Sequence, residues 1–315
     1  MIVDLPNTTT SQISKTLVKI REEGGAVALG RVLTLVIATR LGEEEEAIGA
    51  ANDASREHPM RVIVVSTDPQ HGDPRVDAQI RVGGDAGASE VVVVRAHGDA
   101  AQDEESLVTG LLLPDAPVVA WWPGEAPESV SQSALGRIAQ RRITDSAASS
   151  DPLGTLERLS HTHQPGDTDF AWTRLTLWRA QLAAVLDQPP YLPVTAITVR
   201  GAADSPSTVL LAAWLQRQLK VPVELTVSAA SRGATGIELA RLVRRNGAIS
   251  LERSGHNIAT LIQPEQPTHD ISLPRRSLRD CLAEELRRLD PDDLYGDVIR
   301  RGVPALGAAS RTLAS

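Results

Sequence analysis

Cysteine is almost absent from this 315-residue chain, and the single Cys281 excludes an internal disulfide and a cysteine-rich metal cage. Aromatic residues are scarce too. One Phe and two Tyr leave the interior to Val, Leu, Ile and Ala, so the five Trp carry an unusual share of the large apolar area. No segment approaches the ~20 apolar residues that a membrane-spanning helix needs. The amino terminus, Met1-Ile2-Val3-Asp4-Leu5-Pro6, lacks the basic stretch and apolar run of a secretion signal, which points to the cytoplasm. Basic charge is also in deficit. With 32 Lys and Arg against 40 Asp and Glu the formal charge is −8, so no cationic surface is available for a phosphate backbone or an anionic membrane. Nucleic acid and membrane are excluded as main partners on that ground.

Catalytic machinery is the next absence. No Gly-x-Ser-x-Gly elbow occurs, and Cys281 sits beside the apolar stripe of a helix rich in both signs of charge, the setting of a buried, inert thiol. The glycine-rich stretch Gly24-Gly25-Ala26-Val27-Ala28-Leu29-Gly30-Arg31 leaves a helix and enters a strand. A phosphate loop runs the other way and ends in Gly-Lys-Ser/Thr, so this one reads as helix termination. His161, His163, Asp167 and Asp169 form the densest group of metal-ligand types. They end a helix before Gln164-Pro165-Gly166, where alternate residues do not converge, and the reading is a linker with no metal site. The acids Glu43 to Glu46 suit a solvated helix amino terminus. No catalytic residue and no cofactor are assigned.

What is present is an alternation of short elements, with no internal repeat. At ~150 residues per domain the length accommodates two. A helix over 8–23 precedes a buried strand at 32–37, a polar helix over 43–57 and a second buried strand at 61–66, which make one βαβ unit. Two antiparallel pieces follow at 76–82 and 90–95, joined through Gly83-Gly84-Asp85. Next come helical sequence over 103–113, a strand at 117–121, helical sequence over 129–140, a strand at 142–145 and a helix over 152–159. A long helix over 170–186, stopped by Pro189-Pro190, opens the second half, followed by a strand at 194–199, a helix over 206–219 and strands at 223–227, 248–253, 257–262 and 270–273. The last helix spans 277–289. These patterns predict an α/β protein: an N-terminal layered α/β domain with a mostly parallel sheet over 1–165, a smaller C-terminal α+β domain over 166–300, and a flexible tail over 301–315.

Two places suggest a site. Trp121-Trp122-Pro123-Gly124 ends a strand, whose neighbours face opposite ways; one Trp is expected in the core and the other exposed, covered by a helix of this chain or by a partner. The charged helix over 279–288, running into Asp290-Pro291-Asp292-Asp293-Leu294-Tyr295, strengthens the reading as a binding protein. The second place is the strand-loop-helix sequence from Gly201 to Ser207. Ser205 before Pro206 reads as a helix cap, and alternatively Gly201, Ser205 and Ser207 hold an anion with Arg232 as a further donor, which would make the chain a sugar-phosphate-binding enzyme or sensor. A scaffold without a dedicated partner is a third reading.

Four ordered segments carry a family likeness: residues 21–35 (Arg-Glu-Glu-Gly-Gly-Ala-Val-Ala-Leu-Gly-Arg-Val-Leu-Thr-Leu), 50–59 (Ala-Ala-Asn-Asp-Ala-Ser-Arg-Glu-His-Pro), 61–65 (Arg-Val-Ile-Val-Val) and 284–292 (Glu-Glu-Leu-Arg-Arg-Leu-Asp-Pro-Asp). With Trp121-Trp122-Pro123-Gly124 they resemble the OpcA family of glucose-6-phosphate dehydrogenase assembly proteins of actinobacteria, nearly end to end. The resemblance implies a non-catalytic cytoplasmic protein that binds glucose-6-phosphate dehydrogenase and promotes its active oligomer, supporting NADPH supply through the oxidative pentose phosphate pathway. It supplies no catalytic residue. Cyanobacterial relatives are associated with redox control through cysteines, and this chain offers only Cys281 for it.

Overall fold

Runs such as Val91-Val92-Val93-Val94 are buried on both faces only inside a parallel sheet covered by helices, and the computed structural model places them there. The structure describes residues 1–23, 32–68, 70, 72–83, 90–228, 236–306 and 311–313. They divide into two units: Met1–Asp145 with Gly166–Thr168 and Ser277–Pro291, and Ser146–Pro165 with Asp169–Arg276 and Asp292–Ser315.

The first unit holds β1 (Ile2–Leu5), α1 (Thr10–Glu23), β2 (Leu33–Arg40), α2 (Glu44–Ala54), β3 (Met60–Asp68), β4 (Arg75–Val82), β5 (Glu90–His97), α3 (Glu104–Thr109), β6 (Val118–Trp122), α4 (Ala134–Ile138) and β7 (Arg141–Thr144). The chain returns to it with β8 (Asp167–Asp169) and α9 (Leu278–Arg287). Its sheet runs β1-β4-β5-β3-β2-β6-β7-β8. The strands β5, β3, β2, β6 and β7 are parallel, and β4 and β1 close one edge antiparallel. The βαβ unit and the antiparallel β4–β5 pair are as the sequence predicts. Gly83 leaves β4 with φ +74°; Gly84 and Asp85 lie outside the described residues, as do Gly24 to Arg31.

The second unit holds α5 (Pro152–Thr162), α6 (Phe170–Thr173), α7 (Thr176–Leu186), β9 (Ala196–Ala202), α8 (Pro206–Leu219), β10 (Val223–Ser228), β11 (Ile237–Arg244), β12 (Gly247–Glu252), β13 (Ile258–Ile262), β14 (His269–Ser272), α10 (Asp293–Asp297), α11 (Val303–Leu306) and β15 (Arg311–Leu313). Its sheet runs β14-β13-β12-β11-β9-β10-β15. Here β9, β10 and β15 are parallel and the rest antiparallel, an α+β arrangement. One sheet face, with Ile197, Val199, Leu225, Leu242, Ile249 and Leu251, joins a core with Trp172, Trp178, Trp214 and Tyr295. Helix α8 is buried from Pro206 to Leu215 and packs on β9 and β10.

Several elements differ from the sequence reading. The long helix over 170–186 is broken, because the Leu175 amide bonds the carbonyl of Trp172, three residues back, and the tightened turn buries both side chains. Strand β11 was masked in the pattern by a bulge between Ile237 and Leu239, which puts the buried Ile237 and Ala240 at helix-like spacing. Each compact unit also takes in segments from both sides of residue 165. Helix α5 belongs to the second unit and α9 to the first, where Cys281, Leu282 and Leu286 are buried and α9 packs on α2. The tail over 301–315 is in part ordered: Val303 and Leu306 of α11 are buried, and β15 pairs with β10.

Buried ion pairs fix the returning segments of the first unit. Arg141 contacts Glu285, both less than a tenth exposed, and also donates to the carbonyl of Asp290 at 2.9 Å. Arg142 contacts Asp167. Glu285→Ala leaves the Arg141 charge buried without its carboxylate and is expected to cost ~3–5 kcal/mol in a denaturant melt. In the second unit the Arg217 guanidinium bonds both oxygens of Asp297 at 2.9 Å, and that hydrogen bonding holds the Asp297 carboxyl below its ordinary range. A depressed folded-state pKa stabilises above the unfolded value, ~4 for Asp, and the benefit disappears as pH falls through the folded one. The melting-temperature advantage over Asp297→Asn is therefore full at neutral pH and vanishes in acid.

Candidate interaction surface

Open parallel sheets bind ligands at the carboxyl ends of their strands, where strand order reverses. In the first unit that point lies beside β2, with β3 on one side and β6 on the other. The helix that follows, α2, opens with Glu43, Glu44, Glu45 and Glu46. Glu44 is buried, and its Oε1 accepts from Ser66 Oγ at 2.8 Å and from Arg95 Nε at 3.1 Å. Glu45 takes both arms of Arg81, at 2.6 and 3.0 Å, which holds its carboxyl below the ordinary range. The turn where a nucleotide phosphate would meet helix amides is thus lined by the chain's own carboxylates, and a phosphate there would be repelled.

The tryptophan pair corrects the sequence reading. Trp121 is 0% and Trp122 5% exposed, because β6 is an inner strand with all five of its residues buried. Neither ring is offered to a partner. The acidic run after the charged helix is structural as well: Asp292 Oδ1 caps α10 by accepting from the Tyr295 amide at 2.9 Å, and its Oδ2 accepts from Trp172 Nε1 at 2.8 Å. Tyr295 is buried against Trp172 and His163, with ring centroids 5.7 and 5.4 Å away.

The loop from Gly201 to Ser207 is likewise occupied from within. Ser205 Oγ caps α8 through the Thr208 amide at 3.2 Å, and Ser207 Oγ is buried, donating to the carbonyl of Ala171 at 2.9 Å. A Cβ on Gly201 would lie 2.3 Å from Thr208 Oγ1, so this glycine serves close packing. Arg232, the further donor expected there, lies outside the described residues. The anion reading of Gly201, Ser205 and Ser207 gives way to capping and packing. Among the described residues no cluster of three or more His, Cys, Asp or Glu is arranged for a metal, and no helix is long and apolar enough to cross a membrane. Cys281 is buried, as its sequence position implies.

What remains open is the second face of the second unit's sheet. Alternation sends Thr198, Leu239, Arg241, Ser250, Thr260 and Ile262 away from the core, and none of them is buried. Ile258 and Ile262 are 47% and 41% exposed. Cross-strand register sets Thr198, Arg241, Ser250 and Ile262 in one row over four strands. The alternation was visible in sequence for β12 and β13, but the unseen β11 hid the row.

The family model described as glucose-6-phosphate dehydrogenase subunit N-terminal domain matches residues 51–161, and the one described as the C-terminal domain of the same subunit matches residues 165–299. Together they span most of the chain. The chain belongs to the OpcA family of glucose-6-phosphate dehydrogenase assembly proteins. No curated protein matches it. Among solved structures, an oxidoreductase from Sinorhizobium meliloti is similar at 11% identity over 88% of this chain and 96% of that one, with a TM-score of 0.49. A structure titled trehalose-6-phosphate from E. coli bound with UDP-2-fluoro glucose follows at 12% identity, 64% and 65% coverage and TM-score 0.26. The OtsA apo structure follows at 10% identity, 63% and 66% coverage and TM-score 0.23. None of these likenesses is close enough to speak to chemistry. In this OpcA chain the tryptophan pair falls inside the N-terminal match and is expected to act on stability: Trp121→Ala and Trp122→Ala should each lose ~3–5 kcal/mol in chemical melts, because each removes a buried indole.

Proposed function

We propose that this protein is a non-catalytic cytoplasmic assembly factor that binds glucose-6-phosphate dehydrogenase and favours its active oligomer, with no cofactor of its own. In that role it acts as an allosteric activator supporting NADPH supply through the oxidative pentose phosphate pathway. The observation that carries the reading is the pair of family matches, which run through both halves of the chain. The carboxylates of α2 support it, since they disfavour a nucleotide at the strand ends where an α/β dehydrogenase would hold one.

The mechanism is linkage. A partner that binds the active state of an enzyme more tightly than the inactive one shifts the population by that difference, ~1.4 kcal/mol for each tenfold. We place the contact on the open face of β9, β11, β12 and β13, where Ile262 gives an apolar anchor in the same row as Arg241, with Ser250 between them. A stable complex buries on the order of 1,200–2,000 Å² in total, so the neighbouring loops must contribute.

Size-exclusion chromatography with light scattering on this protein mixed with its own organism's glucose-6-phosphate dehydrogenase is expected to give a shared peak, and the mixture a higher rate or a lower KM than the dehydrogenase alone. Ile262→Glu is expected to weaken the complex by roughly tenfold or more with its melting temperature unchanged, as for an exposed anchor. Separate peaks with unchanged kinetics and unchanged oligomeric state would refute the assembly role. A variant that binds as the parent does would refute only the surface.

A further inference from the structure

At one end of the open sheet face the second unit has a cavity of about 430 Å³ lined by Arg200, Glu238, Glu252, Arg253, His256 and Arg275, among others. Arg200 bonds both carboxylates, Glu238 at 3.2 Å and Glu252 at 3.1 Å. Arg253 makes no ion pair among the described residues. Its Nη1 donates to the carbonyls of His256 at 3.0 Å and Leu273 at 2.8 Å, its guanidinium lies 5.5 Å from the Trp178 ring centroid, and its Nε is buried without a partner. Burial and the like charge of Arg275 together press the Arg253 pKa below its ordinary value, and no carboxylate offsets them. Arg275 reaches the start of β11, with Nη1 3.4 Å from where a Cβ on Gly236 would stand.

Two neighbouring guanidinium groups attract an oxyanion by charge, and Arg253 has its Nη2 left to donate while Nη1 serves the two carbonyls. The carbonyl bonds and the indole hold Arg253 in place beforehand, which lowers the ordering cost of binding. The same cavity also has carboxylates in its lining. Glu238 and Glu252 offer acceptor oxygens, and Glu252 is about half exposed, at 47%. A cavity lined by both acceptors and guanidinium groups suits a ligand with an anion at one end and hydroxyl donors at the other. The volume is within the ~300–1,000 Å³ of small-molecule sites.

We infer that this cavity binds a small phosphorylated sugar or polyol, its phosphate between Arg253 and Arg275 and its hydroxyls towards Glu238 and Glu252. The site is separate from the loop of Gly201, Ser205 and Ser207, and the inference does not rest on the assembly role. Phosphate alone would reach only the arginine end, and an unphosphorylated sugar only the carboxylate end.

The test is isothermal titration of the full chain, without any dehydrogenase, with glucose 6-phosphate, glucose and inorganic phosphate. Glucose 6-phosphate is expected to bind at one site per chain, inorganic phosphate more weakly, and glucose without detectable heat. Arg275→Gln is expected to weaken glucose 6-phosphate by roughly tenfold or more, the value of a lost charge-assisted contact. Arg56→Gln, an exposed arginine of the other unit, should change nothing. Glu252→Gln keeps both guanidinium groups; it should weaken glucose 6-phosphate and leave inorganic phosphate unaffected, which keeps the test decisive if Arg275→Gln fails to fold. The inference is overturned if glucose 6-phosphate gives no saturable heat at millimolar concentration, or if the folded variants bind it as the parent does. It is also overturned if glucose or free phosphate binds as tightly as the phosphorylated sugar.

Discussion

The contact between Arg141 and Glu285 joins stretches of chain that are far apart in sequence: β7, the short run around β8 and helix α9. Arg141 also bonds the carbonyl of Asp290, and Glu285 Oε1 accepts from Thr168 Oγ1 at 3.4 Å, so both returning segments of the first unit meet β7 at one pair. Both charges have given up water, a loss that only mutual contact offsets. The next residue repeats the arrangement on the other side of the strand. Arg142 pairs with Asp167, and because neighbouring strand residues point oppositely, both faces of β7 are secured by ions. Once the chain leaves this unit after Pro291, Asp292 caps the next helix through the Tyr295 amide and takes the Trp172 indole, so one carboxylate starts the following segment and ties it to the second unit's core.

Much of this fold could be read from local pattern. The apolar runs of β2 and β3 announce strands buried on both faces, and Ser205 before Pro206 announces the start of α8 at the residue where it begins. What could not be read was decided by partners distant in sequence. Nothing near Leu282 says that its helix packs against α2, and nothing near Trp122 says that β7 will cover its strand. Local pattern missed β11 because the bulge shifts its register. The same limit applied to sites. A strand predicts opposite directions for two tryptophans, and it is the sheet's depth that decides whether either direction reaches water.

The argument about chemistry turns on where carboxylates lie. In the first unit they occupy the helix terminus that nucleotide-binding sheets leave free, with Glu44 held by Ser66 and Arg95 in a buried network. Such a network is costly to open, since withdrawing one member strands the others away from water. Membership in an assembly-protein family and a strand-end region filled by its own side chains are independent observations, one from the whole sequence and one from three side chains. They are the two grounds on which we propose a protein whose influence on metabolism passes through a partner.

The open sheet face and the adjoining cavity share a residue, and that has thermodynamic consequences. Arg200 stands in the face row with Leu239 and Glu252, and its guanidinium divides between Glu238 and Glu252 on the cavity wall. A ligand whose hydroxyls engage those carboxylates competes with Arg200 for their lone pairs, and a protein docked on the face presses on the same side chain. On the two proposals together, the binding events would be coupled through this one guanidinium. By reciprocity, whatever factor the metabolite applies to the partner's affinity the partner applies to the metabolite's. A coupling of that kind would make the assembly factor responsive to the pool of phosphorylated sugars without any catalytic group. It would leave a signature that an inert scaffold lacks: a dehydrogenase affinity that moves with ligand concentration in the parent protein and stays fixed once Arg275 is replaced.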